Sequence, residues 1–410
     1  MDILFIGGIF KKEQQQEILN RSKSVVQFAA NVLQWNLITG LDACNNKNIT
    51  ILSALFIGSY PSLYKGVLIK PEKWSHAAEA TDINVGFVNI FGIKHLWRAV
   101  ALEKQAVKWA KTASAEKKVI IVYSMHTPFI YAAAKAKLLN PDIHVCLVAP
   151  DLPQFMNLGK PSGKIFSILK SIDLHVMDRY LKYVDSFVLL TKYMAGAIGL
   201  GNRPWIVVEG VVNPDDIPEP SKVIESSDKK VILYTGTLNK AYGILELIEA
   251  FKLIKDNDIQ LEICGAGEAE PEVRALEAMN SRVKYFGQVT RDKAIELQRK
   301  ANVLINPRSG SDEFTKYSFP SKIMEYMLSG TPAIVKKLPG IPDEYMNYLF
   351  VVNGDNINDL AVKIHEVCKK SKEDLRIFGL NARNFVISQK NHKTQASKIL
   401  EMIKTNLKSS

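Results

Sequence analysis

Only four of the 410 residues are cysteine, and Cys44, Cys146, Cys264 and Cys368 stand far apart. That excludes a disulfide-stapled fold and leaves no ligand spacing for zinc, a usage that suits a reducing cytosol. No run of about 18 apolar residues occurs, so no helix is expected to span a membrane. The first ten residues, Met1 to Phe10, carry no basic lead and no cleavage site, and they read as a first buried strand rather than a signal peptide. The Gly-x-Gly-x-x-Gly fingerprint is missing, which argues against a nicotinamide enzyme. No zinc-finger spacing or aromatic ribonucleoprotein motif marks a nucleic-acid binder. No Asp-x-Asp pair is placed at a strand end to hold Mg²⁺. Acidic residues are also scarce, 42 against 53 basic ones, for a net charge of +11. Such a balance implies anionic partners: nucleoside diphosphates, lipid headgroups or nucleic acid.

What is present is a globular composition, 47% hydrophobic and 23% charged, in a chain too long for one core. Apolar strand-like runs alternate with helical patterns. In the first half the runs are residues 3–6, 49–52, 85–88, 119–123, 144–148 and 187–190. In the second half they are residues 231–234, 260–264, 283–286, 303–306, 332–335 and 350–352. Alternation of this kind predicts parallel sheets covered on both faces. Residues 213–230, with three prolines between Asn213 and Pro220 and a polar stretch after them, read as a linker. The expected organisation is an α/β chain of two doubly wound domains, 1–212 and 231–380, with a C-terminal segment at 381–410.

The stretch from Asn306 to Pro332 is the most informative. A strand runs into a polar loop, then into a helix opened by Pro320 and closed by Gly330, with Pro332 just beyond. Ile323, Met324, Met327 and Leu328 form the apolar stripe, with Ser321, Lys322, Glu325 and Ser329 on the other side. The free amides of a helix start thus lie beside a basic residue and one turn before a carboxylate, a surface suited to a sugar nucleotide. A merely capped amphipathic helix with a solvated Glu325 would show the same local pattern.

This segment resembles the donor-binding motif of retaining glycosyltransferases of family four, which have the GT-B fold. In that motif a Glu is followed, after seven intervening residues, by a second Glu, then by Ala-Met-Ala-x-Gly-x-Pro. Glu325 matches the second Glu, Tyr326 to Pro332 follow in register, and Phe319 matches the motif's Phe. Tyr317 stands where the first Glu belongs and Pro320 where a Gly belongs. The resemblance implies a ribose contact for Glu325 and leaves the sugar contact at Tyr317 open. The Phe-Pro-Ser-Lys-x-x-Glu-Tyr form is similar to a branch that builds bacterial surface polysaccharides.

More of the second half fits. Gly236, followed by Gly243 and a helix, matches the loop that usually brings an Arg and a Lys to the donor diphosphate. Here those positions hold Thr237 and Tyr242, so the cation must come from elsewhere: Arg308 first, then Lys322 and Lys240, each of which could also be a solvated surface charge. Gly265 and Gly267 match the family's strand followed by Gly-x-Gly, a pattern any tight turn also uses. Gly287 and Val289 lie in a segment matching the loop whose backbone reads the nucleobase, with a plain turn as the alternative.

In the first half, Gly7 and Gly8 match the Gly-Gly turn after the first strand. Asp151, in a loop after a buried strand, is the candidate beside the reacting carbon, although Asp is also a common turn residue. His126 ends another strand and could bond a sugar hydroxyl or be structural. Basic residues and tryptophans interleave from Lys94 to Arg98 and from Lys104 to Lys111, as in an interfacial helix or in an ordinary solvated one.

The resemblance implies a GT-B fold: two Rossmann-like domains facing a cleft, with a C-terminal helix crossing back to the first. It implies a metal-independent, cofactor-free transfer with retention, from a nucleotide-sugar, uridine-linked, to an oligosaccharide or lipid-linked acceptor. Exopolysaccharide, capsule or O-antigen synthesis in the cytoplasm, with weak anionic membrane contact at the inner face, completes the expectation. A GT-B epimerase and a non-catalytic sugar-nucleotide or carbohydrate binder are the alternatives.

Overall fold

The structure, a computed structural model, describes every residue except 25, 155–163, 217–228, 311–312 and 410. Most of the linker expected at 213–230 therefore lies outside the described residues. So do Phe155 and Met156 beyond Asp151, and Ser311 and Asp312 of the donor loop. The chain divides into two compact units. Unit 1 comprises Met1–Val211 with His392–Ser410, and unit 2 comprises Val212–Asn391.

The strands of unit 1 are β1 (Asp2–Gly7), β2 (Thr50–Ser53), β3 (Leu68–Ile69), β4 (Glu72–Trp74), β5 (Asp82–Asn84), β6 (Phe87–Val88), β7 (Lys118–Tyr123), β8 (His144–Ala149), β9 (Ser186–Leu189) and β10 (Trp205–Val207). Eight of them form one sheet in the order β10-β9-β8-β7-β1-β2-β5-β4. Every pairing in it is parallel except that of β4 with β5. The central strands β7 and β8 are buried along their whole length, as continuous Val/Ile-rich runs under two helical layers must be. β3 and β6 make a separate antiparallel pair. Of the single strand expected at 85–88 only Phe87–Val88 is strand, as β6, and β5 ends before it at Asn84. Gly86 sits between them against Pro71 and the Ile69 carbonyl, where a Cβ would collide.

The helices of unit 1 are α1 (Gln15–Arg21), α2 (Phe28–Cys44), α3 (Ile93–Ala110), α4 (Thr127–Leu139), α5 (Lys164–Leu181) and α6 (Tyr193–Ile198). Unit 2 holds β11 (Lys230–Thr235), β12 (Ile259–Cys264), β13 (Val283–Tyr285), β14 (Val303–Asn306), β15 (Ala333–Lys336) and β16 (Phe350–Val352). Its helices are α7 (Ile244–Leu253), α8 (Glu270–Met279), α9 (Arg291–Lys300), α10 (Ser321–Ser329), α11 (Ile357–Cys368) and α12 (Lys372–Gln389). The unit 2 sheet is wholly parallel, in the order β13-β12-β11-β14-β15-β16. The last helix, α13 (His392–Ser409), belongs to unit 1. Its Ala396, Ile399, Leu400 and Ile403 share a buried cluster with Ile3, Phe5, Leu37 and Leu41. The returning segment therefore starts at His392 and not at 381, because residues 381–389 continue α12, whose Leu375 joins the unit 2 core.

Both sheets reverse their winding direction once, between β1 and β7 in unit 1 and between β11 and β14 in unit 2. Loops leaving the carboxyl ends of strands diverge at such a switch point and leave a crevice for ligand.

Candidate functional site

At the unit 2 switch point the loops after β11, β12 and β14 touch backbone to backbone. Gly265 follows β12 with φ +149°, and a Cβ there would overlap the Gly236 carbonyl oxygen. Gly243 (φ +79°) lies against the Pro307 carbonyl beyond β14, where a Cβ would stand 2.3 Å from the oxygen. Only glycine permits both the left-handed backbone and the approach. Gly236 donates to the Cys264 carbonyl at 3.0 Å, and Gly265 to the Gly287 carbonyl at 2.9 Å. Gly267 lies against the Leu238 backbone. The expected glycines thus assemble into one platform, with half-buried Val289 in the next loop. Thr237 is exposed, and its carbonyl accepts the Tyr234 hydroxyl at 2.8 Å.

α10 forms where its pattern predicts. Pro320 is the N-cap, and Gly330 at φ +79° ends it, donating to the Met327 carbonyl. Ile323, Met324, Met327 and Leu328 are buried, Ser321 is exposed, and Lys322 and Glu325 are partly exposed. Ser329 departs from expectation. It is buried, its hydroxyl bonded to the Tyr326 carbonyl, because the last turn curls into the core.

Glu325 is held by two donors. Gln298 Nε2 reaches Oε1 at 2.6 Å and Lys322 Nζ reaches it at 2.8 Å. Both bonds fall on Oε1, so Oε2 has no protein partner among the described residues. Burial pushes this carboxyl up, but the Lys322 charge, the two hydrogen bonds and Arg291 outweigh it and hold it below the usual range. The same Gln298 amide donates to Thr235 Oγ1 at 2.9 Å, at the end of β11. The buried Tyr326 hydroxyl takes the Thr235 amide and returns a bond to its carbonyl, each at 3.0 Å. Gln298, Thr235 and Tyr326 are the supporting residues that sequence reasoning missed. Gln298 lies 27 residues before Glu325 on another helix, and no local pattern signals it.

Arg308 leaves β14 with its guanidinium 4.9 Å from the Tyr242 ring and 4.6 Å from the Phe314 ring, donating to Ser318 Oγ at 3.3 Å. A cation stacked on two rings is fixed in direction. Lys240 is exposed and pairs with Glu272 of α8 at 2.7 Å. Phe319 is buried with its ring 5.3 Å from Tyr345, and Tyr317 is half-buried in a short helical turn ahead of it.

Unit 1 assembles a second group at its own switch point. Gly8 donates to Gln34 Oε1 at 2.9 Å, and a Cβ on Gly8 would enter the Phe56 ring; Gly7 likewise abuts Gln34. His126 caps α4, its ring 4.8 Å from Phe129 and 5.8 Å from Phe56. Arg98 Nη1 lies 3.4 Å from His126 Nε2, which leaves the imidazole proton on Nδ1. Burial first, then Arg98, His95 and Lys94, lower the His126 pKa well below its usual value, so the ring is neutral. Arg98 (2% exposed) also donates to the Ala54 carbonyl, and Lys94 (7% exposed) donates to the Ile57 carbonyl at 2.9 Å. Neither has a carboxylate partner among the described residues. Both were expected on a solvated or lipid-facing side. They point inward because α3 buries the ladder Lys94, Arg98, Leu102, Ala106 and Ala110. Asp151 follows β8 and is exposed at its surface, while desolvation pushes its carboxyl up to about 6.

Among the described residues no three His, Cys, Asp or Glu side chains converge as a metal site needs, and no helix is long and apolar enough to cross a membrane.

Known proteins bear on this geometry. No curated protein sequence matches the chain. Among solved structures it is similar to sucrose-phosphate synthase from Thermosynechococcus elongatus, with a TM-score of 0.67, 14% identity and 100% of both chains covered. It is also similar to the apo form of the lipopolysaccharide outer core galactosyltransferase WaaB, with a TM-score of 0.63, 14% identity, and 99% of this chain and 100% of that one covered. Anabaena Alr3699/HepE in complex with UDP gives a TM-score of 0.64 and 13% identity over 99% of this chain and 100% of that one. Residues 216–385 match the sequence model of the family described as Glycosyl transferases group 1. The chain has the GT-B fold, and this match over its second unit supports a GT-B glycosyltransferase.

Proposed function

We propose that the protein is a retaining, metal-independent glycosyltransferase. It moves a sugar from a nucleoside diphosphate, with uridine as the base, to an oligosaccharide or lipid-linked acceptor in bacterial surface-polysaccharide synthesis. The observation that carries this reading is Glu325, an ionised carboxylate fixed through Oε1 with Oε2 open, tied through Gln298 to the end of β11. A ribose offers two vicinal hydroxyl donors, and a carboxylate is an acceptor-only group that suits them. Residues 216–385, which match the glycosyl transferase family, contain this whole donor group. The UDP held by HepE lends support to the nucleotide.

The chemistry then follows from charge. As the bond between the anomeric carbon and the β-phosphate oxygen breaks, the leaving diphosphate gains negative charge. The Arg308 guanidinium and the free amides at the start of α10 stabilise that charge without a metal. The acceptor oxygen bonds to the anomeric carbon from the face the diphosphate leaves. Its proton passes to a phosphate oxygen, so the products are the new glycoside and the protonated nucleoside diphosphate. On the acceptor side, neutral His126 bonds a sugar hydroxyl and Asp151 orients the acceptor. Tyr317 in place of a Glu alters the contact with the donor sugar.

Calorimetric titration with UDP and uridine tests the donor site. Glu325→Gln is expected to weaken both ligands about 10- to 100-fold, the worth of a hydrogen bond to a charged group. Arg308→Ala is expected to weaken UDP and spare uridine. Unchanged affinities in both variants would overturn the assignment. Transfer is expected to survive EDTA, and a strict Mg²⁺ requirement would take the charge-stabilising role from Arg308. UDP release only when acceptor is present separates a transferase from a binder, which releases none, and from an epimerase, which changes the donor sugar without acceptor.

A further inference from the structure

Helix α3 is inside out over its first two turns. Its inward ladder begins with two cations, Lys94 and Arg98, while Ile93, Leu96, Trp97 and Val100 face outward at helical spacing, Leu96 at 70% and Trp97 at 49% exposed. A surface helix ordinarily does the reverse. The outward stripe does not end at the helix. Phe91, just before it, is 57% exposed. Ile90 bridges to exposed Tyr60, Val67 accepts the Asn89 amide, and exposed Leu68 pairs with Val88. One continuous apolar face therefore joins α3 to the β3–β6 pair and the Tyr60 loop. Faces of this kind on soluble surfaces mark interaction sites.

The charges around the face identify its partner. Residues 56–70 and 90–111 contain seven Lys and Arg against one acid, Glu103. Five of these cations are exposed: Lys65, Lys70, Lys104, Lys108 and Lys111. The last three continue the same outward stripe of α3 after Val100. An apolar, aromatic-bearing face that grades into lysines along one helix matches the interface of an anionic bilayer, with hydrocarbon under Leu96 and headgroups over the lysines. We infer that unit 1 docks onto anionic membrane through this face, with Phe91, Leu96 and Trp97 inserted and Lys104, Lys108 and Lys111 on the headgroups. This directs the acceptor choice toward a lipid-linked sugar and in that respect rests on the transferase reading. Docking itself needs no donor, so its failure would leave nucleotide binding untouched.

The test is flotation of the full chain with vesicles of phosphatidylcholine alone or with added phosphatidylglycerol, at low and high salt. Wild type is expected to float with anionic vesicles, with a blue shift of tryptophan emission, and to lose at least tenfold in partitioning at high salt or without the anionic lipid. Lys104→Gln, Lys108→Gln and Lys111→Gln together are expected to remove most of the salt dependence. Phe91→Ser with Leu96→Ser is expected to abolish binding while far-ultraviolet circular dichroism and the melting temperature stay at wild-type values, since both side chains are already exposed. Trp97→Phe is expected to retain binding and lose the blue shift. Equal binding by the Phe91/Leu96 variant, or no flotation on either vesicle, would overturn the proposal. So would a concentration-dependent dimer that the same variant dissolves, because the face would then belong to a second copy of the chain.

Discussion

His76 sits between two carboxylates, with Nδ1 2.7 Å from Asp82 and Nε2 2.8 Å from Asp42. Burial alone would lower its pKa, but the two hydrogen bonds and charges raise it to about 9. A pKa raised above its unfolded value of about 6.5 stabilises the fold fully below that pH, and the stabilisation is lost as pH rises through about 9. Stability is therefore expected to fall by on the order of 3 kcal/mol between pH 6.5 and pH 9. His76→Gln should remove that slope in denaturant titrations at several pH values. Asp151 gives the opposite signature, in activity. Desolvation pushes its carboxyl up to about 6, so kcat/KM is expected to drop as pH falls through 6. Asp151→Asn should be slow at every pH and lack that limb; an unaltered acid limb would assign the group elsewhere. None of these charge environments was legible in the sequence. His76 meets Asp42 across 34 residues, and Arg98 meets His126 across 28.

At the scale of elements, α10 was legible almost residue by residue, because Pro at its start, Gly at its end and an apolar stripe are local signals. α3 was legible as a helix but not in its orientation. Periodicity gives the spacing of a stripe, and composition would have turned the apolar stripe inward. The packing of Lys94 and Arg98 on the Ile57 and Ala54 carbonyls turned it outward. The glycine loops make a sharper test. Gly265→Ala must place a Cβ on the Gly236 carbonyl at φ +149°, whereas Gly287 (φ +67°) has open space around it. Gly287→Ala is expected to cost about 1–2 kcal/mol, the penalty of left-handed backbone for an L-residue. Gly265→Ala should cost more and also weaken UDP, since the β11 and β12 loops must separate. Thermal melts and titration of the two variants check this, and equal losses would mean that the platform is not close-packed.

For the whole molecule, α13 completes a core laid down almost 400 residues earlier. Ile399, Leu400 and Ile403 are fully buried with Ile3 and Phe5. Burying such side chains is worth about 1.5–3 kcal/mol each, a sum comparable with the entire stability of about 5–15 kcal/mol for a domain. A chain ending at Asn391 is expected to leave residues 1–211 open to limited proteolysis while 212–391 stays protected. Equal protection of both would make α13 an ornament of the surface. The sequence by itself determined the alternation of strands and helices, hence two parallel sheets, and it determined α10 with Glu325, because periodicity, capping residues and glycine turns act over a few residues. The tertiary structure alone decided which strands lie side by side and where each sheet reverses. It also decided that Gln298 holds Glu325, that Lys240 pairs with Glu272, and that α3 turns its cations inward. Those outcomes depend on side chains brought together from distant segments, where burial and pairing set the energy and local pattern does not.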